Sequence, residues 1–461
     1  MATSTTAADS FGRLRRILGV GFGLAVSIGG TIGIGILRTP GGVAGQLHTG
    51  AIIIGFWLLG GLYNMVGASG LTELGAMFPQ AGGYYVYARR AFGDWVGFAV
   101  VWTDWITYCA VLGYVSISIG DYVAKLAPAL AGASSWIAAA VLVGFVGLQW
   151  AGVRVSSWFQ ESATALKFLA FLALCIAAIA MSGGAAPGPA AVPAAAPDLA
   201  GVVAALQAVV ISYAGWQSAL YFTEEDRDPV KNLPRAMIGG VAAVVVVYLL
   251  VNLALLAILP VPELATSTLP AADAAVRIVG SRGGQVITVL SLISLAPLLN
   301  AIMMIGTRIL FALGRDRLLW SRTADVNAGG TPGVATLVTT VVALGLIATG
   351  TFERLVAIVS FYLLLNYAIC TLALIALRRR EPDRARPFRT WGYPASAVVF
   401  LAGTLAFLVL ALVGDTATAL AALGLLAIGL LLQVVVRRVR RPGQPPPGAP
   451  PPAARVVDRG D

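Results

Sequence analysis

The sequence predicts an all-α membrane protein of twelve transmembrane helices. Three observations predict it: repeated long apolar runs, a one-sided distribution of basic residues, and two runs that are interrupted in their middle. Apolar residues make up 58% of the 461-residue chain and charged ones only 11%, with a mean hydropathy of +0.85. Soluble domains carry about 25% charged residues, so a soluble enzyme is excluded. Spanning the hydrocarbon core takes about 20 apolar residues. Such runs occupy 17–45, 51–78, 95–123, 136–153, 158–181, 202–222, 236–259, 285–313, 334–350, 355–377, 395–413 and 416–436.

An even number of spans places both termini on one side, and Lys and Arg favour the cytoplasmic side. With cytoplasmic termini, most of the 31 basic residues fall in cytoplasmic segments. They include Arg89 and Arg90, the residues from Arg308 to Arg322, and the cluster from Arg378 to Arg389. The outer loops keep Lys125, Arg277, Arg282 and Arg354, while Arg38 and Lys167 lie inside spans. The net charge of +10 is therefore topology rather than a nucleic-acid surface. A multi-pass protein of the plasma membrane (cell inner membrane) is expected, with the lipid bilayer as its surroundings. Residues 1–10 are small and polar, and the first apolar run is too long for a signal-peptide core, so no segment is expected to be removed. Cys109, Cys175 and Cys370 all fall within spans and imply no disulfide framework. The Pro-rich end, 438–461, reads as a disordered tail, residues 1–15 as a second tail, and the Ala/Pro-rich stretch 183–198 as an external linker.

The first apolar run contains Ser27-Ile28-Gly29-Gly30-Thr31-Ile32-Gly33-Ile34-Gly35, with four glycines in seven residues. Each glycine disfavours a helix interior by roughly 1 kcal/mol relative to alanine. In lipid an unpaired backbone group costs several kcal/mol, so an unwound stretch survives only where it lines a protected cavity or binds something. A single glycine-rich span would read as a helix-packing surface. The sixth run, however, is also interrupted, at Ile211-Ser212-Tyr213-Ala214-Gly215-Trp216-Gln217-Ser218, five spans later.

Paired broken spans at corresponding places in two halves point to a transporter of inverted repeats with its substrate at the midplane. Half-helix N-termini offer free amides for a carboxylate, and half-helix C-termini offer carbonyls for an ammonium group. A zwitterionic α-amino acid matches both. The candidate binding residues are Thr31, Ile32, Gly33, Ile34 and Gly35 with Ile211, Ser212, Tyr213, Ala214 and Trp216. Trp216 reads either as an aromatic platform over the bound side chain or as packing.

An ordered set of motifs resembles the amino acid–polyamine–organocation superfamily, and within it the L-type amino acid permeases. Thr31-Ile32-Gly33-Ile34-Gly35-Ile36 looks like the first-span signature. Phe78-Pro79-Gln80-Ala81-Gly82-Gly83-Tyr84-Tyr85-Val86-Tyr87 with Phe92-Gly93 looks like the loop after span two. Tyr213-Ala214-Gly215-Trp216, Thr223-Glu224-Glu225, Asp228-Pro229 and Asn232-Leu233-Pro234-Arg235 resemble span six and its following loop. Gly314-Arg315-Asp316 with Thr331-Pro332, and Arg386-Pro387-Phe388-Arg389 with Gly392-Tyr393-Pro394, fit the loops after spans eight and ten.

The resemblance implies a LeuT-like core of two five-helix inverted repeats, 16–182 and 201–377, followed by two extra helices in 393–437. It also implies that first-span amides hold the substrate carboxylate and that carbonyls near Ile32, Ile211 and Ala214 hold the amino group. The chain departs from the family pattern at Ile34, where a small or hydroxylated residue is usual, so the amides of Gly33, Ile34 and Gly35 are left to bind the carboxylate. The family's heavy-chain-dependent members use a cysteine between spans three and four; residues 125–135 contain none. No disulfide-linked heavy chain is expected.

Only three basic residues are lysines, and Lys167 lies amid apolar neighbours. A cation near mid-membrane costs about 2.5 to 3.5 kcal/mol on insertion scales and usually has a role. In sodium-independent relatives, the resemblance implies, a fifth-span lysine occupies the place of a sodium ion and braces span one against span eight. Lys167 is thus the coupling candidate, its protonation state linking binding to opening. The competing reading is a snorkelling side chain near the span's end.

Asp104, Tyr108 and Asn300 read as interhelical hydrogen-bonding groups, of which Asp104 could carry a proton. Glu73, Glu224 and Glu225 read as gate or loop salt bridges, and His48 as an outer-loop residue. A membrane enzyme finds no support: there is one histidine, no Cys/His metal spacing and no phosphate loop. No cofactor or metal is expected. An amino acid sensor, or a permease for a cationic amino acid or polyamine, remains open, although neither interrupted segment supplies a carboxylate. Ile34, Ile211 and Ala214 point to a neutral, modest-sized substrate moved by proton coupling or exchange.

Overall fold

A computed structural model describes residues 14–33, 35–181, 198–349 and 352–439. The tails read at 1–15 and 438–461 fall almost wholly outside these residues, as do Ile34 and nearly all of the 183–198 linker. The described residues are helical, joined by turns and two isolated bridges, Leu18 to Asp226 and Val326 to Pro332.

The first apolar run becomes two helices, α1 (Val20–Thr31) and α2 (Gly35–Leu47), bent by 46°. α3 (Gly50–Met77) leads through the short α4 (Tyr84–Phe92) into α5 (Asp94–Leu126), followed by α6 (Ser134–Trp150) and α7 (Val153–Met181). α8 (Leu199–Ser212) gives way to a 3-10 segment, Trp216–Phe222, and then α9 (Pro229–Ile258), α10 (Val261–Thr266) and α11 (Pro270–Val279). The remaining helices are α12 (Gly283–Arg315), α13 (Gly333–Thr349), α14 (Phe352–Arg380), α15 (Ala395–Gly414) and α16 (Thr416–Val439).

Among the described residues nine segments are long and apolar enough to cross a membrane, ten with the bent pair counted as one span. α6 and α13 are shorter apolar helices. All twelve apolar runs of the sequence coincide with helix to within a few residues. Three short helices, α4, α10 and α11, occupy stretches read as loops, being too brief or too polar to give a span-length signal.

The interruptions differ from the sequence expectation in extent. Gly29 and Gly30 remain helical inside α1, which ends at Thr31, so that Ile32 and Gly33 lie beyond it. Likewise Ile211 and Ser212 finish α8, and the second break proper is Tyr213–Gly215. Two apolar cores flank these breaks. One gathers Phe22, Val26, Trp216, Leu220 and Leu298, and the other Ile32, Ile36, Tyr213, Phe171 and Tyr248.

Buried and half-buried ion pairs knit together one end of the bundle, its arginine-rich face. Arg308 of α12 donates to both carboxylate oxygens of Glu225, at 2.8 and 3.0 Å, with both side chains 0% exposed. Arg308, counted above with the loop residues, is therefore buried inside a span. Glu224 binds Arg315 at 2.6 Å and accepts from the Ala81 amide at 2.8 Å. Glu73, at the end of α3, takes Arg378 of α14 at 2.8 Å and both donors of Thr390 at 2.7 Å. Arg90 hydrogen-bonds Glu381 and holds its carboxyl below the ordinary glutamate range. Leu18 joins the network through its main chain, donating to Glu225 O and accepting from Arg227 N, each at 3.0 Å.

Removing one member of a buried pair leaves an uncompensated charge. Glu225→Gln is therefore expected to cost about 3–5 kcal/mol of stability, read as thermal unfolding of detergent-purified protein. Replacing both Glu225 and Arg308 by Met should cost much less.

Candidate functional site

The two breaks lie back to back. Gly215 has φ of +121°, a conformation that glycine adopts without strain. A Cβ there would stand 2.3 Å from Gly30 O and 2.8 Å from Thr31 N. A Cβ on Gly30 would stand 2.6 Å from Ser218 Oγ. The backbones of the two broken spans thus touch, as no pair of larger residues would allow. Gly29 serves a different contact: a Cβ on it would meet Gln160 and Thr164 of α7 at 2.5 and 2.6 Å. The first two glycines of the run let neighbours approach α1, and the last two, Gly33 and Gly35, frame the break.

A helix leaves its last carbonyls without intrahelical partners, and lipid offers none. Here they find named donors. Ile28 O accepts from Ile32 N at 3.0 Å. Gly29 O accepts from Lys167 Nζ of α7 at 3.0 Å, and the same ammonium group donates to Ser294 O of α12 at 3.0 Å. Ile32 O accepts from Ser294 Oγ at 3.2 Å. Thr31 O lies 3.1 Å from the Tyr248 hydroxyl of α9, which also reaches Ser212 O at 2.9 Å. One tyrosine therefore caps the C-terminal ends of both half-helices. Lys167 is 0% exposed. It bridges α1 to α12 rather than reaching toward an interface, and its charge complements the negative end of α1.

Further along α7, Thr164 Oγ1 donates to Ala25 O at 3.1 Å. Gln160 Nε2 donates to Thr164 Oγ1 at 3.1 Å, and Gln160 Oε1 accepts from Asn300 Nδ2 at 2.9 Å. Asn300 Oδ1 in turn accepts from Gln149 at 2.8 Å. Asn300 is thus an interhelical hydrogen-bonding residue in geometry, joining α6, α7 and α12.

The remaining candidate residues divide by exposure. Gly35 is exposed, and Ile211, Ser212 and Ala214 are half-buried. Thr31, Ile32, Gly33, Tyr213 and Trp216 are buried. Ile34 lies outside the described residues. Ser212 Oγ donates to Thr39 Oγ1 at 3.0 Å, linking α8 to α2. Tyr213 OH donates to Trp57 O at 2.9 Å. Trp216 stacks on Tyr367 of α14 with centroids 5.4 Å apart and donates to Asn64 of α3 at 2.9 Å. Of the carbonyls expected to receive an amino group, Ile211 O already accepts from Ala214 N at 2.9 Å, and Ile32 O from Ser294. Each retains a second lone pair. The first amides of a helix lack intrahelical acceptors, and Gly35 is the first described residue of α2.

Sequence reasoning missed Tyr248, Ser294 and Thr39. Tyr248 follows four valines in an apolar run, and nothing local distinguishes it from packing. The half-helices α2 and α8 pack on each other and on α3, with α10 and α11 against α2, whereas α1 and the 216–222 segment pack on α9 and α12.

A family model described as amino acid permease matches residues 23–435. A serine/threonine exchanger, SteT, of Bacillus subtilis is 28% identical over 408 residues, covering 87% of this chain and 92% of the relative. The human large neutral amino acids transporter small subunit 2 is 27% identical over 387 residues, covering 82% and 72%. An uncharacterized transporter of Mycobacterium tuberculosis is 27% identical over 434 residues, covering 93% and 94%.

Gly215→Ala should force the two breaks apart. Strain at φ of +121° alone costs about 1–3 kcal/mol, so a lowered unfolding temperature and loss of amino acid binding, measured on purified protein, are expected.

Proposed function

The chain belongs to the amino acid permease family and is related to the L-type transporters, and from that premise we propose that it is a sodium-independent secondary transporter of neutral L-amino acids, working by alternating access. The contact between the two breaks, braced by Lys167 and capped by Tyr248, is the observation that carries this reading. The substrate carboxylate binds the amides that open α2, and the ammonium group binds second lone pairs on carbonyls at the ends of α1 and α8. The accessible surface beside them, Gly35, Ile211 and Ala214, carries no charge and suits a modest neutral side chain.

In this reading the twelve spans are α1 with α2, α3, α5, α6, α7, α8 with the 216–222 segment, α9, and α12 to α16. The repeats 16–182 and 201–377 are inverted copies, and 393–437 adds two helices. The arginine-rich face is cytoplasmic, with both termini on it, in the cell's plasma membrane. The packing of α2 and α8 away from α12, opposite the ion-paired face, supports an outward-facing state. Lys167 stands where a coupling cation would otherwise link α1 and α12, so sodium is not required.

The B. subtilis relative is named as an exchanger, which supports exchange as one mode, with proton coupling the other. The three cysteines are free and buried in helices, and the connection between α5 and α6 carries none, so the chain works without a disulfide-linked subunit.

Uptake into proteoliposomes with a panel of amino acids tests this. Neutral amino acids should be taken up with or without sodium; uptake of none, despite binding, would mark a sensor, and uptake of cationic ones alone would overturn the substrate reading. Lys167→Ala removes the donor to Gly29 O and Ser294 O and should abolish flux while leaving folded protein in size-exclusion chromatography.

A further inference from the structure

One buried acid has no part in the substrate site. Asp104 of α5 is 2% exposed, and its Oδ2 accepts from the Tyr221 hydroxyl at 2.8 Å. Tyr221 belongs to the 216–222 segment, the half of the second broken span that runs toward the arginine-rich face. Its ring sits edge-on to those of Tyr84 of α4, at 5.8 Å, and Tyr108 of α5, at 5.4 Å. Tyr84 in turn meets Tyr367 of α14 at 6.2 Å. Tyr367 is the ring that stacks on Trp216, and its hydroxyl donates to Gln217 at 3.1 Å. Tyrosine rings therefore connect the second break, at Trp216 and Gln217, through Tyr367, Tyr84 and Tyr221 to the carboxyl group.

The groups facing Asp104 are neutral ones. They are Tyr221, Tyr84 from α4, Tyr108 from α5, and Tyr367 and Cys370 from α14. Of the charged residues on α12, Arg308 is committed to Glu225, and Arg315, at the helix end, to Glu224. The helices α6 and α13 contain no titratable residue, and α16 has only Arg437 and Arg438 near its end. Among the described residues no cation is ion-paired with Asp104. The two protonation states of a carboxyl group differ most in energy where water is excluded and no cation is at hand. Such a group registers any motion that lets water reach it, and the Tyr221 hydroxyl is its hydrogen-bonded link to the 216–222 segment.

We propose that Asp104 is the proton carrier of the transport cycle, taking up one proton from the outer side and releasing it to the cytoplasm. This rests on the transporter reading above and assigns coupling to Asp104, leaving Lys167 as a fixed brace. With the inner gate closed, the Tyr221 hydroxyl latches the segment to α5. On opening, Tyr221 withdraws, water reaches the carboxyl group, and its proton passes to that water. After substrate release and reclosure the carboxylate is protonated again from outside.

The test uses the full-length chain in proteoliposomes, with two assays on each variant. At equal pH on both sides, exchange of labelled neutral amino acid against internal substrate reports the site itself. In empty vesicles with an interior one pH unit more alkaline, net accumulation reports coupling, with a limit of about tenfold for one proton per substrate.

Asp104→Asn should exchange within about threefold of the unaltered protein and lose its response to the gradient. Tyr221→Phe should keep the response and shift the external pH of half-maximal uptake by about one unit. A full gradient response in Asp104→Asn, or exchange by the unaltered protein with no gradient response at all, would overturn the proposal. Absence of both exchange and uptake in the unaltered protein would instead refute the transporter reading beneath it. If Asp104→Asn does not fold, Tyr221→Phe decides: a shifted pH profile supports the carrier role, and an unchanged one overturns it.

Discussion

The structure depends on one constraint, that no backbone group at membrane depth can be left without a partner. Two helices stop in mid-membrane, and each stop frees carbonyls that water would satisfy at a surface. Lys167, Ser294 and Tyr248 satisfy them here, drawn from α7, α12 and α9. Because these donors come from helices on different sides of the breaks, closing the hydrogen bonds also fixes how those helices sit around α1 and α8. The Gly30–Gly215 contact follows from the same constraint. Two half-helices can share one capping hydroxyl only if their ends are close, and they are close only if both contact residues lack a side chain.

The two ends of the bundle are held by different physics. On the arginine-rich face, charges that would be costly alone are paired, with Glu225 and Arg308 fully buried and Glu73 saturated by Arg378 and Thr390. At the other end, α10 and α11 lie against α2, largely through apolar packing. At that end one exposed ion pair, Arg277 with Glu263, joins α11 to α10.

Much of this was legible in the sequence, and the rest was not, for identifiable reasons. Hydropathy placed each apolar run on helix, because twenty apolar residues in a row have few other uses. Lys167 stood out because a lone ammonium in an apolar run is costly enough to need a purpose. The glycine run was visible, but its division of labour was not. Whether a given glycine bends the chain or admits a neighbour depends on what lies opposite, and Gln160, Thr164 and Ser218 are distant in sequence. Tyr248 was hidden for a related reason: in an apolar stretch a tyrosine signals packing, and its hydroxyl acquires meaning only when two helix ends converge on it. The acid–arginine pairs were expected as gate or loop contacts, yet the depth of Arg308 was missed because it lies within two turns of the loop residues Arg315 and Arg317.

The central claim is that an amino acid binds where the two breaks meet. The most direct measurement places a cysteine at Ala214, a small half-buried residue in the second break, in a chain whose own cysteines are buried. A water-soluble thiol reagent applied from outside should label Ala214→Cys, and a transported neutral amino acid should slow that labelling several-fold in proportion to its occupancy. Labelling at the same rate with saturating substrate would place binding elsewhere and contradict the account.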